Sequence, residues 1–191
     1  VLVLGPTGSG KTEQGLRIAR ESNMPVVRAT VGPSTGPSDL MGFLTTDPED
    51  DTQIRFVHGK IGEWLNLEKL GMLLLDEVTM VKTWDLFESY FELGYFIIDG
   101  KEAYPPTGSV LYMTGNESGN GEYGGRYLPT LLRQHAMIIK KPGMSEAGLK
   151  THIIDPLCES LGKIDARELS EKLFSIMNLS QKLGVPDDSF S

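Results

Sequence analysis

The opening run VLVLGPTGSGKT, residues 1–12, constrains this chain more than any other stretch. Its four leading apolar residues, Val1 to Leu4, suit a strand buried on both faces. A glycine-rich turn follows, and then a helical stretch, TEQGLRIARES. Few folds send a buried strand through such a turn straight into a helix. The glycines let the backbone curl until successive N–H groups point inward, and the helix adds the positive end of its dipole. A turn of that kind cradles phosphate. On this reading Gly5, Pro6, Thr7, Gly8, Ser9, Gly10, Lys11 and Thr12 wrap the phosphates of ATP, in the order of a Walker A motif. Lys11 reaches the β- and γ-phosphates, and Thr12 places its hydroxyl on Mg²⁺. The competing reading is a glycine turn that matches by chance; the apolar strand before it and the helix after it weigh against that.

A second apolar run, MLLLDE (72–77), ends in two carboxylates. At the carboxyl edge of a parallel sheet these acids would meet the phosphates held by the first loop. Asp76 is assigned to Mg²⁺, directly or through a water, and Glu77 to orienting the attacking water. The plainer alternative is a surface pair of acids capping the next helix. Asn116 ends a further strand, SVLYMTGN, where an amide can hydrogen-bond the lytic water or the γ-phosphate without adding charge. An ordinary Asn-rich turn, NESGNGEYGG, is the alternative there.

The rest of the chain alternates strands and helices. PVVRATVG (25–32) reads as a strand, PSTGPSDLMG as a link, TTDPEDDTQ as an acidic loop and IRFVHG as one arm of a hairpin. KIGEWLNLEK and TWDLFESYFELG carry apolar residues at helical period. YFIIDGKEAY reads as a hairpin turning at Asp99-Gly100, and AMIIKK (136–141) as the fifth strand of the sheet. Helices are expected within 144–161 and 165–183. This pattern predicts an α/β fold, a P-loop NTPase core over residues 1–143 with a five-stranded parallel sheet between helices, followed by a small helical piece over 144–191.

Charge and composition narrow the partners. The formal net charge of −8 argues against wrapping nucleic acid, which requires clustered Lys and Arg. No apolar run approaches the roughly 18 to 20 residues of a membrane-spanning helix. The single cysteine, Cys158, excludes an internal disulfide and points to a reducing, cytoplasmic setting. His58, His135 and His152 are scattered without metal-ligand spacing and read as structural or surface. Val1 enters a strand with no Met before it, which predicts an excerpt of a longer protein.

Taken together, these motifs resemble the AAA+ ATPases, in the branch that holds the MoxR, NorQ/CbbQ, dynein and midasin modules. The resemblance spans nearly the whole chain. GPTGSGKT is similar to Walker A and LLLDE to Walker B. PSDLMG with the acidic hairpin is similar to the insert in the second helix of that branch, and FELGYFIIDGKEAYPPTGSVLYMTGN to the hairpin inserted before sensor 1, with Asn116 in the sensor position. GGRYLPTLLRQHAMII resembles the segment that carries the arginine finger, but Gln134 stands where the arginine is expected. Arg133, one residue earlier, is the candidate replacement, with Arg126 a second. Such a finger contributes on the order of 10³ to 10⁵ in rate.

The resemblance implies a partial helical lid over 144–191, with the sensor-2 arginine beyond Ser191. It also implies a ring, commonly of six copies or homologous modules, with ATP at each boundary. Two inserted β-hairpins, near 44–57 and 95–106, would face the pore or a protein partner, with a von Willebrand factor A domain protein among the partners seen in MoxR-like relatives. Plain edge hairpins packing on their own domain are the alternative, with Tyr95, Phe96 and Tyr104 as core. The leading expectation is an ATPase that moves or remodels a protein. An ATP-binding structural subunit that hydrolyses little is the second. A helicase is the third, disfavoured by the acidic charge and by Asn116 at a strand end.

Overall fold

In the computed structural model the apolar runs become strands and the periodic stretches become short helices. In chain order these are β1 (Leu2–Gly5), α1 (Lys11–Glu21), β2 (Val26–Thr30), α2 (Pro37–Leu40), β3 (Gly42–Thr46), β4 (Ile54–His58), α3 (Lys60–Leu65) and β5 (Met72–Asp76). They continue with α4 (Glu88–Leu93), β6 (Phe96–Ile98), β7 (Lys101–Ala103), β8 (Val110–Asn116), α5 (Thr130–His135) and β9 (Ile138–Lys140). The structure describes residues 1–50, 52–80, 84–116, 128–143, 148 and 151. The chain divides into two compact units, Val1–Gly143 and Met144–Ser191. The two helices expected in the second unit lie almost wholly outside the described residues, as do Arg126, His152 and Cys158.

Five strands form one parallel sheet in the order β2-β5-β8-β1-β9. The three central strands are the continuous apolar runs, because a strand covered on both faces buries every side chain. Val3, Met72, Leu74 and Tyr112 face α1 and pack with Ala19 and Leu16. Leu2, Leu4, Leu73, Leu75, Leu111 and Met113 face the other way, against Ile61 and Trp64 of α3, Phe87, Phe96 and Leu132 of α5. Each buried leucine contributes about 2 kcal/mol. A helix as short as α3 has little stability alone, so this burial holds it.

The two-stranded pairs β3–β4 and β6–β7 are antiparallel hairpins. Asp99 (φ 49°) and Gly100 (φ 70°) both take the left-handed region, as a two-residue turn requires. One side of the second hairpin is core: Phe96 stacks on Tyr90 at 4.8 Å and meets Trp64 and Phe87 edge-on. Ile97 and Tyr104 stay exposed. The sequence period over TWDLFESYFELG suggests one helix, but the chain makes a tight three-residue turn, Asp85–Phe87, before α4. A 3₁₀ turn aligns positions three apart, which brings the buried rings of Trp84 and Phe87 to 5.3 Å. PSDLMG is likewise more than a link. Pro37 opens α2, and the Asp39 carboxylate accepts the Gly36 N–H at 2.8 Å.

The contact between α1 and the sheet is unusually close at one residue. A Cβ on Gly15 would lie 2.6 and 2.8 Å from the Tyr112 ring and 3.1 Å from Leu74 Cδ1. Tyr112 is pinned, because its hydroxyl donates to the Lys11 carbonyl at 3.0 Å. In an open helix Gly→Ala stabilises by about 1 kcal/mol. Here overpacking reverses the sign: Gly15→Ala is expected to lower stability by about 1 kcal/mol or more, read as a lower urea midpoint at unchanged slope.

Candidate functional site

Parallel strands all end at one edge of the sheet, and the polar ends of β1, β5 and β8 gather there. Gly5 pairs with Asn116 on β8, and Leu75 on β5 pairs with Met113, so Asp76 lies level with Thr114. The strand that carries Asn116 therefore runs between the strand that enters the glycine turn and the acidic strand. A cleft of about 440 Å³ opens above, lined by residues that include Lys11, Thr12, Arg28, Asp76, Glu77 and Asn116. That volume lies within the range of small-ligand pockets.

The glycine turn curls as its composition predicts. Gly10 (φ 74°) sits at the N-cap of α1 in the left-handed region and supplies no side-chain cap. The first N–H groups of a helix have no intrahelical partner, and the residues that open α1, Lys11 to Glu13, line the cleft. Lys11 is buried and its ammonium donates to Gly5 O at 3.0 Å, Pro6 O at 2.8 Å and Asn116 Oδ1 at 3.0 Å. Burial lowers its pKa, opposed by the nearby Asp76 charge and reinforced by Lys141. Lys141 donates to Gly10 O at 3.1 Å. The Ser9 hydroxyl is buried and has no hydrogen-bond partner among the described residues. A polar atom left open inside a loop is what a loop shaped around an anion offers.

Asp76 is held from three sides. Thr12 Oγ1 lies 2.9 and 3.0 Å from its two oxygens, Thr114 donates to Oδ1, and Arg28 Nη2 donates to Oδ2 at 3.1 Å. Burial pushes this carboxyl up, but hydrogen bonds from Thr114, Thr12 and Arg28 outweigh it and keep its pKa below the usual carboxylate value. Glu77 differs. It is exposed, its carboxylate makes no hydrogen bond among the described residues, and its backbone takes φ 62°, with its N–H on Thr114 Oγ1 at 3.3 Å. A left-handed glutamate costs about 1–2 kcal/mol, and such strain concentrates where a side chain must be aimed.

Thr12 and Asp76 are hard oxygen donors of the kind Mg²⁺ takes, and they already converge. Among the described residues no three His, Cys, Asp or Glu side chains gather into a self-contained metal cage. The donor set thus fits a cation whose remaining ligands come from water and an anion.

The structure brings Gly5 to Thr12, Asp76, Glu77 and Asn116 together, and leaves Arg133 apart. Arg133 is exposed on α5, donates to Thr130 Oγ1 at 3.2 Å and does not line the cleft. Gln134 beside it is exposed too. His58 packs edge-on against Phe56 at 5.2 Å, and His135 lies 6.2 Å from Phe91. Three contributors escaped the sequence reading: Arg28, Thr114 and Tyr112. Two of them carried a signal, since a charge in VVRAT and a hydroxyl in the buried run LYMTGN each call for a partner.

The fold and cleft define an α/β protein with a five-stranded parallel sheet and a glycine-rich turn at its carboxyl edge. No protein-family model matches the chain. An uncharacterized protein of Staphylococcus epidermidis is 32% identical over 85 residues, which are 43% of this chain and 31% of that protein. The chain thus spans about a third of the length of the curated relative it matches. Among the described residues no helix is long and apolar enough to cross a membrane.

Proposed function

We propose that this chain is a P-loop NTPase of the AAA+ type, which binds and hydrolyses Mg-ATP in the cytoplasm and works in a ring to move or remodel a protein partner. The observation that carries the reading is the convergence of Lys11, Thr12, Asp76, Glu77 and Asn116 on one cleft at the carboxyl edge of the sheet. In this reading the open amides of the turn and Lys11 bind the phosphates. Thr12 and Asp76 would hold Mg²⁺, which would neutralise phosphate charge. Glu77 takes the proton of the attacking water, and Asn116, bridged to Lys11, fixes the distance between water and phosphate.

Exposed apolar side chains on the hairpins support a protein partner. Phe43, Leu44 and Ile54 stand out on β3–β4, and Ile97 lies on β6–β7. A second reading, an ATP-binding structural subunit that turns over little, draws on Gln134 and on Arg133 being bonded within its own helix. Mass in solution, measured with and without ATP, tests the ring. A nucleotide-dependent assembly of about six copies is the expected result, and a monomer under both conditions would remove the ring from this proposal. Turnover that stays low in the assembled state would select the structural subunit.

A further inference from the structure

Arg28 puts a cation beside Asp76, the carboxylate assigned above to the metal. It stands on edge strand β2, two residues before Thr30, and Thr30 lies level with Asp76 on β5. Strand alternation puts Arg28 and Thr30 on the same face as Asp76. The guanidinium therefore reaches forward along that face to Asp76 Oδ2. Its side chain is 50% exposed while that of Asp76 is 14% exposed, so Arg28 covers the carboxylate from the open side of the cleft. On the inner side Thr114 engages Oδ1, and Thr12, with one proton, bridges both oxygens.

An ion pair this exposed adds little to fold stability. Its effect falls instead on whatever else approaches Asp76. A divalent cation seeking Oδ2 meets a like charge about one hydrogen-bond length away, which disfavours its entry while Arg28 stays there.

We propose that Arg28 stands in for the metal: it keeps Asp76 aimed before Mg²⁺ binds, contributes its charge to metal-free nucleotide binding, and gives way when the metal enters. The inference rests on the Mg-ATP reading above and assigns that site a positioning residue that sets how strongly nucleotide affinity depends on the metal.

The test is calorimetric titration of ATP in EDTA and in saturating Mg²⁺, for the protein and for Arg28→Ala and Arg28→Lys. Loss of the guanidinium weakens metal-free binding and removes a competitor from metal-bound binding. The ratio of the two Kd values in Arg28→Ala is therefore expected to rise about five- to tenfold, the scale of a partly exposed charge-assisted hydrogen bond. Arg28→Lys, which keeps the charge, should return most of the way to the parental ratio. A general structural defect would weaken both arms alike and leave the ratio in place. A ratio in Arg28→Ala within twofold of the parent overturns the proposal, and so does a lysine variant that behaves like the alanine one. If the parental protein binds no ATP in either buffer, the Mg-ATP reading itself fails, and this inference with it.

Discussion

Lys11→Ala is expected to weaken ATP binding by about a hundredfold or more, measured by calorimetry in Mg²⁺. The ammonium is buried and already oriented by Gly5 O, Pro6 O and Asn116 Oδ1, so it meets an anion with little ordering left to do. Burial also lowers its pKa, because it disfavours the charged form. An arriving phosphate exchanges a charged acceptor for one of these neutral ones, a stronger hydrogen bond. Truncating one side of a buried, hydrogen-bonded charge pair costs about 2–5 kcal/mol, which sets the size of the effect. Because the same side chain ties the turn to β8 through Asn116, circular dichroism should accompany the titration to show that the variant is folded. A folded Lys11→Ala protein that binds ATP with parental affinity would mean that the turn is no phosphate cradle.

Glu77→Gln acts on a different quantity. Turnover should fall by about 10² to 10⁴, the usual contribution of a positioned general base, while ATP affinity changes little. The expectation follows from the unequal surroundings of the two neighbouring acids. The Asp76 oxygens are engaged by Thr12, Thr114 and Arg28, and its pKa is held down, so it stays an anion and is a poor proton acceptor. Glu77 has no such partners among the described residues, and its strained backbone turns it away from the strand direction. The amide of glutamine keeps the shape and removes the basicity. Steady-state phosphate release, read beside ATP binding, separates the two effects. Hydrolysis at the parental rate would take the base role away from Glu77.

Both expectations use residues that were readable before any fold was known. GPTGSGKT announces its turn because glycine adopts the left-handed backbone of Gly10, which starts α1, at no steric cost. VLVL, MLLL and VLYM announce central strands because burial on both faces leaves no room for alternation. Asp99-Gly100 announces a hairpin turn for the same local reason as Gly10. Other features stayed hidden in the sequence. Helical period over TWDLFESYFELG gave no hint that Trp84 and Phe87 would prefer a tighter turn, since that preference comes from the rings they pack against. The sequence left Phe96 and Tyr104 open between core and surface, and the packing buries Phe96 but leaves Tyr104 exposed.

The sequence by itself thus determined the glycine turn, the apolar strands and the acids that end one of them, because backbone strain and hydrophobic period act over a few residues. The tertiary structure alone decided that β8 lies between β1 and β5, that Arg28 and Thr114 share Asp76, and that Tyr112 fixes the first turn of α1. Those partnerships cross strands far apart in the chain, and lateral strand order and register, which set them, follow from how the whole sheet packs between its two apolar layers.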